Sequence, residues 1–199
     1  RTFITIELPH EVREAIRRRQ QALRLALEQA GLAGCFRWSA VENIHLTLRF
    51  LGETDRGQIE RLTAGLAEAA RDRRPFTLTV GNAGCFPNFR RPSVLWLGVE
   101  GDLAELEEIQ GTVEALAQSV GFEAETRAFS PHLTLARSQR NRPYAELQRA
   151  GATLEAEAGW NAGGDRPVPF VVTEIVHMRS DLRPSGPIYT PLSVHRLRA

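Results

Sequence analysis

Asn43-Ile44-His45-Leu46-Thr47-Leu48-Arg49-Phe50 and Pro131-His132-Leu133-Thr134-Leu135-Ala136-Arg137 share the tetrapeptide His-Leu-Thr-Leu, its two copies 87 positions apart. Side chains on a strand alternate between faces, so in each copy the histidine and threonine point one way and the leucines the other. Each copy is half core and half site. Strict alternation extends the first polar face to Asn43, His45, Thr47 and Arg49, with Ile44, Leu46, Leu48 and Phe50 behind it. Two histidines facing a shared cleft supply a general base and a general acid, and two threonine hydroxyls can hydrogen-bond an oxyanion held between them.

The segments around the two copies also repeat. Thr2 to Leu8 alternates like a strand and Pro9 ends it; residues 10 to about 30 then carry Val12, Ile16, Leu23 and Leu27 at helical spacing, with Arg17 to Arg19 solvated and Gly31 as the stop. Thr54 is placed to cap a helix over 55 to 71, and Phe76 to Val80 alternates as a strand. The second round runs through a strand at Val94 to Val99 and a helix over 102 to 120 stopped by Gly121. The second motif follows, then a short helix near 143 to 150 and a strand from Phe170 to Val176. A last strand from Tyr189 to Leu197 is reached through the turn-rich Arg183-Pro184-Ser185-Gly186-Pro187. Matching Ile4 with Leu95, His45 with His132 and Phe76 with Phe170 gives offsets of 91, 87 and 94. Nearly constant offsets across five elements predict an internal duplication, with halves of roughly 1–90 and 91–199 sharing one domain over 1–199. Approximate two-fold symmetry then sets the two motifs opposite each other across a central groove.

Composition sets outer bounds. A chain of 199 residues with 42% hydrophobic and 25% charged residues has enough apolar surface for a substantial core, so disorder is not expected. All 25 cationic residues are Arg and none is Lys, a bias that suits phosphate recognition and that genome composition explains equally well. Cys35 and Cys85, each followed by Phe, are too few and too far apart for a metal knuckle or a disulfide framework and read as small hydrophobes. No apolar stretch approaches the ~20 residues that span a bilayer and no signal-peptide core is present, so a cytoplasmic location without membrane attachment is the expectation.

Rival chemistries fit less well. A zinc site needs three or four ligands, and neither motif contains Asp, Glu or Cys, so no metal is expected. Neither cysteine has a histidine partner in sequence, there is no Gly-x-Ser-x-Gly elbow, and without lysine there is no P-loop. Gly163-Gly164 reads as a flexible surface connection. His10, His177 and His195 lack a comparable context and read as structural. Arg137 follows the second motif and is a candidate for holding phosphate or RNA. Strand parity sets it on the leucine side, so it reaches the cleft only where the strand ends or twists by Ala136. Arg90 and Arg91 read as a solvated loop, with nucleic-acid backbone as the competing reading.

Taken with Phe3-Ile4-Thr5-Ile6-Glu7-Leu8-Pro9, Leu51-Gly52, Arg91-Pro92-Ser93-Val94-Leu95-Trp96 and Ser185-Gly186-Pro187-Ile188-Tyr189, the two motifs make the chain resemble the 2H phosphoesterase superfamily along almost its whole length. Within it the chain is most similar to the RNA 2′,3′-cyclic phosphodiesterases, also called 2′-5′ RNA ligases. The resemblance implies a bilobal α+β fold, with antiparallel sheets lining the central cleft, helices on the outer faces and strands exchanged between the halves. It further implies hydrolysis of RNA 2′,3′-cyclic phosphate ends to 2′-phosphomonoesters without metal or cofactor, and reversible 2′-5′ ligation where a ribose 5′-hydroxyl takes the place of water. His45 corresponds to the proton donor, His132 to the proton acceptor, and Thr47 and Thr134 to groups on the phosphate. The expected partner is RNA with a cyclic phosphate end, tRNA fragments included, acted on by a monomer. A 2H enzyme of small cyclic or 2′-5′-linked nucleotides, and a weakly catalytic RNA-binding module, are the alternatives.

Overall fold

The two tetrapeptides lie side by side at the centre of one antiparallel sheet, and the other strands are laid out around them. A computed structural model describes residues 1–160, 166–184 and 186–198. Its strands are β1 (Thr2–Ile6), β2 (Phe36–Trp38), β3 (Leu46–Gly52), β4 (Phe76–Phe86), β5 (Val94–Gly101), β6 (His132–Ser138), β7 (Pro169–Val172), β8 (Glu174–Arg183) and β9 (Gly186–Arg196). The helices are α1 (His10–Gln29), α2 (Arg56–Arg71), α3 (Leu103–Ser119) and α4 (Tyr144–Ala156). The sheet order is β7-β4-β5-β6-β3-β1-β8-β9, with β2 paired to β6. One pair, Leu46 with Leu133, joins β3 to β6. The sheets foreseen on either side of a cleft are thus continuous through the motifs themselves.

Alternation decides which face is core. Ile4 and Ile6 enter the main apolar cluster with Leu46, Leu48, Leu133 and Leu135, all buried beneath the helices, where α2 packs on α3 and α1 on α4. Phe3, of opposite parity, turns to the other face and packs with Val176, Met178 and Tyr189. Cys35 and Cys85 are buried apolar side chains, as expected. Among the described residues no helix is long and apolar enough to cross a membrane.

Several expectations need correction. The stretch from Phe170 to Val176 is two strands, divided at Thr173. β7 pairs with β4 at one edge of the sheet and β8 pairs with β1 near the other, so the chain must leave one ladder to reach the next. By position in the sheet, the counterpart of β4 is therefore β8, and the match of Phe76 to Phe170 does not hold. The cap of α2 is Asp55. Its carboxylate accepts from Gln58 N at 2.8 Å while Gln58 Oε1 accepts from Asp55 N at 3.0 Å, a reciprocal capping box. The Thr54 hydroxyl instead donates to Gly52 O. Arg19 is not solvated: it is 1% exposed, donates to Glu157 O and lies over the Trp160 ring. The helix near 143 to 150 continues to Ala156.

Candidate active site

His45 and His132 are held in the same way. In each, Nδ1 meets the backbone carbonyl two residues upstream, His45 to Asn43 O at 2.8 Å and His132 to Ser130 O at 2.7 Å. A carbonyl only accepts, so Nδ1 carries the proton and Nε2 is the nitrogen left for chemistry in the cleft. The short 3-10 turn Val41–Asn43 supplies the first carbonyl, and the Asn43 side chain donates to Pro187 O, tying the β8–β9 hairpin to the same turn. The antiparallel register through Leu46 and Leu133 carries His45 toward Thr134 and Thr47 toward His132. Both leucines are fully buried, which fixes the quartet's face.

All four residues line one cleft of about 570 Å³. Aromatic rings wall each histidine. Phe3 stacks on His45 at 4.7 Å between ring centroids and Tyr189 stands edge-on to it at 5.2 Å. Phe86 meets His132 edge-on at 4.9 Å, with Trp96 behind at 6.5 Å. Burial in this setting lowers the His45 pKa to about 4, against the opposing pull of the Asn43 carbonyl, with the charges of Arg13 and His132 adding to the depression.

A β-bulge falls at the last residue of each motif and resets the parity that strict alternation assumes. Thr5 pairs with Thr47 but Ile4 pairs with Arg49, leaving Leu48 as the extra residue. Trp96 pairs with Thr134 but Leu95 pairs with Ala136, leaving Leu135 as the extra residue. Beyond the bulge the faces exchange. Arg137 is thereby exposed and lines the cleft, contrary to strict alternation. Arg49 leaves the His45 face: its side chain is 10% exposed, with Nε 2.7 Å from Glu114 Oε2 and Nη1 3.6 Å from Glu125 Oε2. Phe50 takes its place on the cleft side.

Arg37, Phe3, Phe86, Trp96 and Tyr189 join the site without a local sequence pattern that marks them. Arg37 of β2 sits directly across from Arg137 and lines the cleft with it. Arg90 and Arg91 lie outside the cleft, Arg91 over the Tyr144 ring. His10 is exposed at the start of α1, while His177 and His195 are buried away from the cleft. Gly163-Gly164 and Ser185 lie outside the described residues. Among the described residues no three His, Cys, Asp or Glu side chains are grouped as metal ligands.

With this geometry in view, comparison with known proteins is specific. The family model described as LigT like Phosphoesterase matches twice, over residues 6–96 and 97–189. A Methanothermobacter thermautotrophicus protein named RNA 2′,3′-cyclic phosphodiesterase is 33% identical over 200 residues, covering 99% of this chain and 98% of its own. A crystal structure of a Thermus thermophilus protein superposes with a TM-score of 0.73 at 28% identity, over 100% of this chain and 98% of the other. Escherichia coli LigT complexed with 3′-AMP gives 0.72 at 26% identity, with the same coverage. Full-length similarity, two matches to one family model and a shared fold around the two motifs together establish that the chain belongs to the LigT-like phosphoesterase family.

Proposed function

We propose that this protein opens RNA 2′,3′-cyclic phosphate ends to 2′-phosphomonoesters by metal-independent acid–base catalysis. One observation carries the reading: two histidines with Nδ1 tied to a carbonyl leave two Nε2 atoms for one cleft, each with a threonine from the other motif beside it. The names of the relatives supply the substrate class.

Water attacks phosphorus in line with the departing ribose O3′, so base and acid must stand on opposite sides of the phosphate. His132 Nε2 takes the proton from water and His45 Nε2 delivers one to O3′. Thr47 and Thr134 hydroxyls donate to the non-bridging oxygens as their charge grows. A 5′-hydroxyl in place of water gives 2′-5′ ligation by the same proton transfers and without a nucleotide triphosphate, because the cyclic ester is already activated.

The test is an RNA oligonucleotide ending in a 2′,3′-cyclic phosphate, incubated with the purified protein and EDTA. A 2′-phosphomonoester product is expected. A 3′-phosphomonoester, or turnover abolished by the chelator, would overturn the assignment.

A further inference from the structure

A second cavity, of about 500 Å³, is lined by Arg91, Pro92, Ser93, Ser138, Tyr144 and Leu147. An exposed aromatic ring, an apolar floor of Pro92 and Leu147, two hydroxyls and a guanidinium together suit a planar ligand that is partly polar and anionic. Tyr144, at the start of α4, is 54% exposed. The Arg91 guanidinium stands 6.0 Å from the centroid of that ring, the outer limit of a cation–π contact, so it is held there only weakly. Among the described residues neither Arg90 nor Arg91 has a carboxylate partner, and no Asp or Glu lines the cavity. Glu146, the acidic residue in the first turn of α4, is taken up by Arg142 at 3.5 Å. The charge at the cavity mouth is therefore positive and unneutralised, as a phosphate-bearing ligand requires.

The cavity is preformed. Ser93 N donates to Phe86 O at 2.8 Å and closes the β4–β5 loop that carries Arg91, while Asn88 Oδ1 accepts from Arg90 N at 3.0 Å and from Arg91 N at 3.1 Å. That loop rests on α4 at Gly151, where an added methyl group would overlap Phe89 O, so a glycine lets the loop and the helix of Tyr144 approach closely. The cavity is also within reach of the cleft. Ser138 ends β6, and Thr134 lies four residues back on the same strand, no more than about 13 Å away. Ser138 and its neighbour on the cleft side point to opposite faces, so a chain running from cleft to cavity passes round the end of β6. A cyclic phosphate is the 3′ end of its RNA strand, so every other nucleotide of the substrate lies upstream of it and has to leave the cleft.

We infer that this cavity is a second RNA site, in which Tyr144 stacks an unpaired base upstream of the cyclic end and Arg91 moves onto the adjoining phosphate. The inference rests on the phosphodiesterase reading and deepens it by naming the substrate: a single strand of several nucleotides, since a cyclic mononucleotide held by the motifs does not reach Tyr144. Every base has a face to stack, so the site adds affinity without sequence preference. Arg90, exposed beside Arg91, extends the cationic edge along which the backbone runs.

The test is a ladder of oligoadenylates from one to six nucleotides, each ending in a 2′,3′-cyclic phosphate. With the wild-type enzyme kcat/KM is expected to rise in a step of roughly 5- to 100-fold at the length that reaches the cavity, carried by KM, the scale of one base–aromatic stack. An abasic nucleotide at that position should erase the step, and so should Tyr144→Ala, with turnover of the cyclic mononucleotide unchanged; Tyr144→Phe should keep it. Arg91→Gln should shrink the step and weaken its dependence on salt. Both side chains are exposed, so neither change opens the core. A flat ladder, or a step that survives Tyr144→Ala or the abasic nucleotide, would overturn the second site while leaving the phosphodiesterase reading standing. Binding without turnover covers an enzyme inert on every cyclic end, which would remove that reading. By fluorescence anisotropy, an adenylate hexamer ending in a 3′-hydroxyl should bind Tyr144→Ala roughly 5- to 100-fold more weakly than the wild type, and equal affinities would overturn the site whatever the ladder shows.

Discussion

His45 is the residue whose chemistry depends most on its surroundings. Burial between Phe3 and Tyr189 lowers its pKa to about 4, so in the free enzyme it is neutral at neutral pH and takes a proton only as the pH falls toward about 4. A donor must hold a proton, so on the proposed mechanism the substrate provides the missing charge: a phosphate anion at Nε2 favours the imidazolium. The His45 ring, followed by NMR, is expected to titrate near 4 alone and at higher pH with inorganic phosphate bound. A titration unmoved by phosphate would take the donor role away from His45. Thr47→Val and Thr134→Val keep the β-branched shape and delete the hydroxyl, and are expected to cost roughly 10- to 10³-fold in kcat with smaller changes in KM. Full kcat in either folded variant would make that hydroxyl structural.

At the level of elements, the site is made by strands that break their own alternation. Trp96 walls His132 and lies across Gly84, its direct partner on β4, where a methyl group would overlap the indole. Glycine is needed there for close approach, not for backbone freedom. Gly84→Ala is expected to destabilise by about 1–3 kcal/mol, the range for overpacking, and to lower kcat by displacing the ring behind His132. An unchanged melting temperature would mean that Trp96 moves aside freely. The motifs themselves were legible in sequence because His-Leu-Thr-Leu alternates cleanly, and the helices because their apolar spacing is strong. The bulges were not. Leu48 is followed by an arginine whose ion partners, Glu114 and Glu125, are remote in sequence, so nothing local marks the reset. Leu135-Ala136 does carry a signal, two adjacent apolar residues that interrupt alternation just before Arg137, and both are fully buried. Arg37 was missed because β2 is three residues long, too short for a pattern, and Arg19 because its partners lie beyond the end of the distant α4.

Across the whole molecule, the polar cleft and the helix-covered core lie on opposite faces of one sheet, and each holds a histidine that the fold keeps neutral. His177, on the core side, is fully buried, neither ring nitrogen is hydrogen-bonded to a described residue, and burial lowers its pKa to about 4, with the His195 charge acting in the same direction. His195, on the adjacent strand and bonded to Ser193 Oγ at 2.8 Å, is lowered as well by burial. The unfolded chain binds these protons near the ordinary value of ~6.5, so between about 6.5 and about 4 it takes up more protons than the folded chain. Stability is therefore fully present above about 6.5 and falls as the pH drops through that window. For His177, held near 4 against an ordinary value of ~6.5, the loss is up to about 3 kcal/mol. His45 contributes with the same sign, and a phosphate in the cleft opposes its share by favouring the charged ring. Denaturant melts of the wild-type protein at pH 7 and pH 4.5 should differ by several kcal/mol. His177→Leu, which removes a buried imidazole that does not line the cleft, should narrow that gap while leaving turnover at pH 7 in place. A gap of the same size in His177→Leu would assign the acid sensitivity to His195 and the cleft histidine, and added phosphate would then have to narrow the share that His45 carries.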